Sequence, residues 1–160
     1  RLAVKRARAL STKCLVVTFD PHPQEVFQPG SFRTLLSAEK KSELIEDLGA
    51  DALLFLRFSR AFACLQPETF ARKILADGLR VMDVFVGSNF CFGKNKSGRV
   101  DTLVRLGSEL GFLVHPVSLV YREGERVSAS RIRRLIDKKR WAQVRTLIGR
   151  PQLACQRSGI

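Results

Sequence analysis

MDVFVGSNFCFGKNKSGRVDTLVRLGSELGFLVHPV, residues 82–117, is the stretch on which the fold class turns. The apolar, β-branched run Met82 to Val86 reads as a strand, and Gly87 opens a glycine- and lysine-containing loop that lasts to Arg99. Asp101 to Leu110 reads as a helix stopped by Gly111. Phe112 to Val117 is strand-like again, a run that Leu119 to Tyr121 could extend before the turn Arg122-Glu123-Gly124-Glu125. Strand, helix and strand in this order make a βαβ unit.

Working outward, the same alternation holds. Residues 1–11 read as a helix, with Ala3, Ala7 and Leu10 on one face and Arg1, Lys5 and Arg8 on another. Cys14 to Phe19 is a strand ended by Asp20-Pro21-His22-Pro23, because two prolines forbid a central strand to continue. Ser37 caps a helix that runs to about Leu48 and closes at Gly49. Ala52 to Phe58 reads as a buried strand, and Pro67 opens a helix with Gly78 as its stop. Two helices, Ser130 to Lys138 and Trp141 to Ile148, come last and end at Gly149 and Pro151. Residues 152–160 carry no periodicity and read as an irregular tail. The expectation is an α/β fold with a mostly parallel sheet and flanking helices. A βαβ unit opens on a strand, so a chain opening on a helix is expected to lack one strand and its loop.

At 160 residues and 45% hydrophobic, the chain has material for one domain with a real core. The net charge of +13 is unevenly placed. Residues 1–13 hold five basic residues and no acid, residues 14–90 hold eight basic and ten acidic, and residues 131–160 come to +8. A positive field at both chain ends suits phosphate-rich ligands, nucleic acid or an anionic surface. Cys14, Cys64, Cys91 and Cys155 form no C-x-x-C pair, so buried reduced thiols in a cytoplasmic protein are expected. With His22 and His115 as the two histidines, neither a zinc site nor a Ser-His-Asp triad has its parts. No apolar run reaches the roughly 18 residues of a membrane span, and no signal peptide is visible.

Three segments carry chemistry. Val127-Ser128-Ala129-Ser130-Arg131-Ile132-Arg133-Arg134 takes a strand end into a helix whose first turn is arginine-rich. The N–H groups and positive dipole of such a turn suit an anion, Ser128 or Ser130 can cap it, and Arg131 and Arg133 add fork-shaped donors. The plain alternative is a serine cap with solvated arginines. The loop from Gly87 to Gly98 lies past a strand's carboxyl end, where open α/β sheets bind ligands. There Asn89 offers donor and acceptor, and Phe90 and Phe92 offer faces for stacking, unless those rings pack inward as in any βα loop. It is not a Walker A loop. Asp20-Pro21-His22-Pro23 is either a proline turn or the seat of a base at His22.

Taken together, Thr18-Phe19-Asp20-Pro21-His22-Pro23, Phe27, Val86-Gly87-Ser88-Asn89-Phe90-Cys91-Phe92-Gly93, Val127 to Arg133 and Leu147-Ile148-Gly149-Arg150-Pro151 resemble the FMN adenylyltransferase module of prokaryotic bifunctional riboflavin kinase/FMN adenylyltransferases over about residues 1–151. The resemblance implies a Rossmann-like nucleotidyltransferase fold and the reaction FMN + ATP → FAD + pyrophosphate with Mg²⁺. It implies that Asn89, Phe92, Phe27 and Phe70 bind FMN and that Ser128, Ser130 and Arg133 bind the ATP phosphates, with no protein metal site. Phe92→Ala would then weaken FMN with little loss of fold. Ala129 stands where the family has a second serine, and Arg99 replaces the acidic residue that follows Gly98. The family's H-x-G-H element would lie before Arg1 and its riboflavin kinase module after Pro151, so the chain is expected to be an incomplete or inactive form with catalytic residues unassigned. The competing class is a non-catalytic flavin- or nucleotide-binding module, or a basic nucleic-acid-binding one. For the latter there is charge but no aromatic-basic stripe, so nucleic acid is not the expected partner, nor is a membrane.

Overall fold

A computed structural model describes residues 1–148 apart from 31 and 33. The helix end expected at Gly149 and Pro151, Cys155 and the tail 152–160 lie outside the described residues. The chain divides into two compact units, Arg1–Ser118 and Leu119 onward.

In the first unit, α1 (Leu2–Ala9) leads to β1 (Leu15–Asp20), which pairs in parallel with β2 (Ala52–Arg57). Between them lie α2 (Pro23–Phe27) and α3 (Ala38–Glu46). Ser37 caps α3 as expected, its hydroxyl accepting from the Lys40 N–H at 3.2 Å. After β2 come α4 (Arg60–Ala63) and α5 (Pro67–Thr69), the latter widening into a π-helix over Phe70–Gly78. β3 (Asp83–Gly87) pairs in parallel with β6 (Leu113–Val117). The loop between them holds a small antiparallel hairpin, β4 (Cys91–Phe92) with β5 (Gly98–Arg99), before α6 (Val100–Leu110). Gly111, with φ of 84°, ends α6 in the left-handed conformation that glycine adopts at no steric cost.

The parallel pairing is as expected, but it takes the form of two separate strand pairs, β1–β2 and β3–β6. Leu119 to Tyr121 does not extend β6. Tyr121–Arg122 is β7, which pairs antiparallel with β8 (Glu125–Arg126) in the second unit. The expected turn lies between them, with positive φ at Glu123 (55°) and Gly124 (74°), the geometry a tight hairpin of this twist needs. α7 (Ala129–Asp137) and α8 (Trp141–Ile148) follow.

The core of the first unit gathers Phe70, Ala71, Leu75, Phe92, Leu103, Leu106 and Phe112. Phe92 draws the β4–β5 hairpin down onto it. A Cβ on Gly98 would lie 2.7 Å from the Phe92 ring, so the strand opposite Phe92 must carry no side chain there. Cys14 is buried, and its thiol pKa is raised by that burial and then by Asp51 nearby. Cys64 is exposed and corrects the expectation of a buried thiol, because it follows the last residue of α4 on a solvent-facing end.

Two carboxylates tie elements together. Asp51 accepts from the Cys14 N–H at 2.7 Å and from Arg8 at 3.0 Å, joining α1, β1 and the start of β2. The Cys14 N–H and then the Arg8 guanidinium hold its pKa below the usual range. Asp83 meets the His115 Nε2 across the β3–β6 pair and the Arg6 Nε of α1 at 3.3 Å. Desolvation pushes the Asp83 pKa up, but the hydrogen bonds from His115 and Arg6, with their charges, outweigh it and leave the carboxyl below its ordinary value.

Groups with a depressed pKa in the folded state stabilise above the unfolded value of about 3.9 and lose that contribution as pH falls through the folded one. Melting temperatures measured from pH 6 down to pH 3 should therefore fall with acid. Asp83→Asn should start lower at pH 6 and flatten the acid limb; an acid limb as steep as that of the unaltered chain would show that Asp83 does not contribute to it. Denaturant titration should find Gly98→Ala destabilised by about 1–3 kcal/mol through overpacking against Phe92. It should find Phe92→Ala destabilised by about 3–5 kcal/mol through the cavity it leaves.

Candidate functional site

The candidate site residues fall into two groups, one in each unit. In the first unit the structure strings phenylalanines into a chain of ring contacts. Phe27 meets Phe58 at 6.0 Å between centroids, Phe58 meets Phe62 at 5.7 Å, and Phe62 meets Phe70 at 6.2 Å. Phe70 then meets Phe92 at 5.4 Å, and Phe92 stacks on Phe90 at 5.5 Å. Phe27, Phe70 and Phe92, three sequence-predicted flavin contacts, are thus links of one chain. Their exposures differ sharply: Phe27 is 57% exposed, Phe70 8% and Phe92 7%. Phe70 and Phe92 are core residues whose rings are covered by protein, which corrects the expectation that Phe92 could be truncated with little loss of fold. Phe27 keeps an open face at the end of α2.

Sequence reasoning missed the middle links. Phe58 follows β2 and Phe62 lies on α4, a helix too short to leave a periodic signal; Ser59 caps it, accepting from the Phe62 N–H at 3.0 Å. Phe19, at the end of β1, adds edge contacts to Phe58 and Phe62 at 5.3 and 5.6 Å. Asn89 is exposed at the tip beyond β3, where the Phe90 N–H closes a turn onto the Gly87 carbonyl at 2.8 Å. His22 caps α2: its Nδ1 accepts from the Gln24 N–H at 3.2 Å, and its ring stacks on Phe32 at 4.2 Å. A ring nitrogen engaged in a cap is held by structure, which weighs against a role for His22 as a base.

The second group is the first turn of α7. Ser128 is the cap, its hydroxyl accepting from the Arg131 N–H at 3.2 Å. An open depression of about 300 Å³ is lined by Glu125, Arg126, Ser128, Ser130, Arg131 and Arg134. Arg131 departs from both expectations, being neither solvated nor an open phosphate donor. It is 8% exposed, its Nη1 donates to the Arg122 and Glu125 carbonyls at 2.8 and 3.1 Å, and its guanidinium pairs with the Glu123 and Glu125 carboxylates. Arg134, which the sequence reading left unassigned, donates to Glu125 at 3.1 Å and lines the depression; Arg133 is not among the lining residues. Serine hydroxyls, a helix N-terminus and exposed guanidinium groups together suit a multiply charged anion.

Residues 1–131 match the family described as FAD synthetase, a span that takes in both groups up to Arg131. The bifunctional riboflavin kinase/FMN adenylyltransferase of Pseudomonas fluorescens is 32% identical over 147 residues, which is 92% of this chain and 47% of that protein. A relative from Geobacillus thermodenitrificans is 35% identical over 94% of this chain and 80% of its own length. The Escherichia coli K12 protein of the bifunctional description is 28% identical over 92% of this chain. This chain spans about half the length of the P. fluorescens and E. coli relatives. A crystal structure described as a macrolide-efflux protein from Streptococcus pneumoniae superposes with a TM-score of 0.83 at 25% identity, covering 94% of this chain and 49% of that one. Among the described residues no helix is long and apolar enough to cross a membrane. With a family match over residues 1–131 and a relative 35% identical along most of both chains, this chain belongs to the FAD synthetase family.

Proposed function

We propose that this chain carries the adenylyl-transfer site of its family, joining AMP from ATP to FMN to give FAD and pyrophosphate in the cytoplasm. The observation that carries the reading is the family match over residues 1–131, a span that includes the Asn89 loop and Ser128. A phosphate oxygen of FMN attacks the α-phosphorus of ATP; a new P–O bond forms, and the bond to the bridging oxygen breaks to release pyrophosphate. Such a step is governed by positioning and by stabilising charge on the transferring group.

FMN is assigned to Phe27, whose face is open at one end of the aromatic chain, and to Asn89, which adjoins Phe90 at the other end and offers a hydrogen bond. Phe92 and Phe70 support this region from the core rather than touching ligand. The ATP phosphates are assigned to Ser128, Ser130 and Arg133, with Arg134 and Arg126 added because they border the depression at Ser128. A Rossmann-like nucleotidyltransferase arrangement and a riboflavin kinase module in the full gene product belong to the same reading. Among the described residues no group of three or more His, Cys, Asp or Glu comes together to hold a metal. Mg²⁺ belongs to the same reading, as an ion held chiefly by the substrate phosphates.

Flavin fluorescence titration and ATP calorimetry with the purified chain test the assignment. Phe27→Ala and Asn89→Ala should each weaken FMN about three- to tenfold, from lost stacking and one lost neutral hydrogen bond, and leave ATP unchanged. Arg133→Ala should weaken ATP more than FMN. Ser128→Ala should weaken ATP and cost about 1 kcal/mol of stability with the lost cap. Absence of FMN binding at micromolar protein would overturn the reading. So would affinity for any polyanion that falls uniformly and steeply with salt, the mark of counterion release.

A further inference from the structure

Arg131 lies in the first turn of α7, yet its guanidinium is taken up by protein groups. Its four acceptors, the carbonyls of Arg122 and Glu125 and the carboxylates of Glu123 and Glu125, all belong to the β7–β8 hairpin. That hairpin has two residues in each strand, extended by one more ladder bond from the Val127 N–H to the Val120 carbonyl at 2.8 Å. A ribbon so short is not stable by itself. It also carries Arg126 and delivers the chain to Ser128, two of the residues around the depression, while Glu125 holds Arg134, a third. Glu123 is 58% exposed, does not line the depression and pairs with Arg131 at 3.2 Å. Arg131 is itself among the residues around the depression, but its guanidinium is taken up by two carbonyls and two carboxylates, and a buried charge stripped of its partners is strongly disfavoured.

Resting on the ATP-phosphate reading of this turn, we infer that Arg131 is a positioning residue. It clamps the hairpin to the first turn of α7 so that Arg126, Ser128 and Arg134 surround one anion, and it does not itself contact phosphate. The opposite role, a direct phosphate ligand restrained by Glu123, makes the opposite forecast for Glu123→Gln. Removing that carboxylate would free the guanidinium and tighten ATP if Arg131 were a ligand, but loosens the clamp and weakens ATP if Arg131 positions.

The test measures ATP and FMN dissociation constants for the unaltered chain, Glu123→Gln, Arg131→Lys and the double variant. Glu123→Gln should weaken ATP about two- to fivefold, the scale of one exposed ion pair. Arg131→Lys, which keeps the charge but loses the planar fork, should weaken ATP about tenfold or more. In the Arg131→Lys background the Glu123 substitution should have a smaller effect than in the unaltered chain, because the two residues share a contact. FMN affinity should stay within about twofold in all three, a split that general unfolding would not produce. Tighter ATP binding by Glu123→Gln, additive effects, or equal losses for FMN and ATP would overturn the inference. An unaltered chain that binds FMN but not ATP would overturn it together with the phosphate assignment. Binding of both ligands with Glu123→Gln tighter for ATP would overturn the inference alone.

Discussion

The packing of Phe92 against Phe70 over a side-chain-free Gly98 is the contact on which the first unit depends. It seats the β4–β5 hairpin on the π-helix and so converts a long loop beyond β3 into a fixed platform. It also settles a competition within the sequence. Aromatic residues in a loop past a strand end can serve a ligand or the core, and burying a phenylalanine stabilises by about 1.5–3 kcal/mol, more than stacking alone contributes. Phe92 goes to the core. The ring left with an open face, Phe27, stands at the far end of the same chain, and Phe58 and Phe62 connect it to Phe92.

Charge is handled by the same economy of partners. Ten acidic residues among 14–90 nearly balance the basic ones there, and the structure places Asp51 and Asp83 where they receive Arg8 and Arg6 from α1. In the second unit Glu123 and Glu125 do this for Arg131. Arg131 lies in the first turn of α7, where a cation opposes the helix dipole, and the two hairpin carboxylates offset that mismatch. The negative group that an arginine-rich first turn calls for is therefore supplied partly from within the chain.

Much of the fold was legible in residues. β1, β2, β3 and β6 stand within a residue or two of their apolar runs, and Ser37, Ser128 and Gly111 mark helix ends as their chemistry dictates. The Glu123-Gly124 turn was also visible from its glycine set among charged residues, although Glu123 itself takes a positive φ that glutamate seldom adopts. What was not legible depends on contacts distant in sequence. α4 is four residues long, too few for periodicity, and the β4–β5 hairpin exists because Phe92 finds Phe70. The π form of Phe70–Gly78 leaves no mark in a pattern of apolar residues, and Cys64 looked buried because its neighbours are apolar while its helix end faces solvent. The sharpest miss was Arg131, whose spacing from Ser128 suggested a ligand-facing donor but says nothing of the carboxylates waiting in the preceding hairpin.

The two candidate groups differ in how far they can yield. Phe27 and Asn89 are exposed, so on the proposed FMN assignment substitutions there change acceptor binding with little loss of stability. Ser128 is bound into a helix cap and Arg131 holds the preceding hairpin, so the groups proposed for phosphate stand on backbone already fixed by structure. Groups held by the fold need no reorganisation when charge arrives, which is the condition under which fixed donors stabilise a transferring phosphoryl group most effectively. On the proposed assignment the aromatic residues choose the acceptor, and the α7 turn holds the charge common to every nucleoside triphosphate.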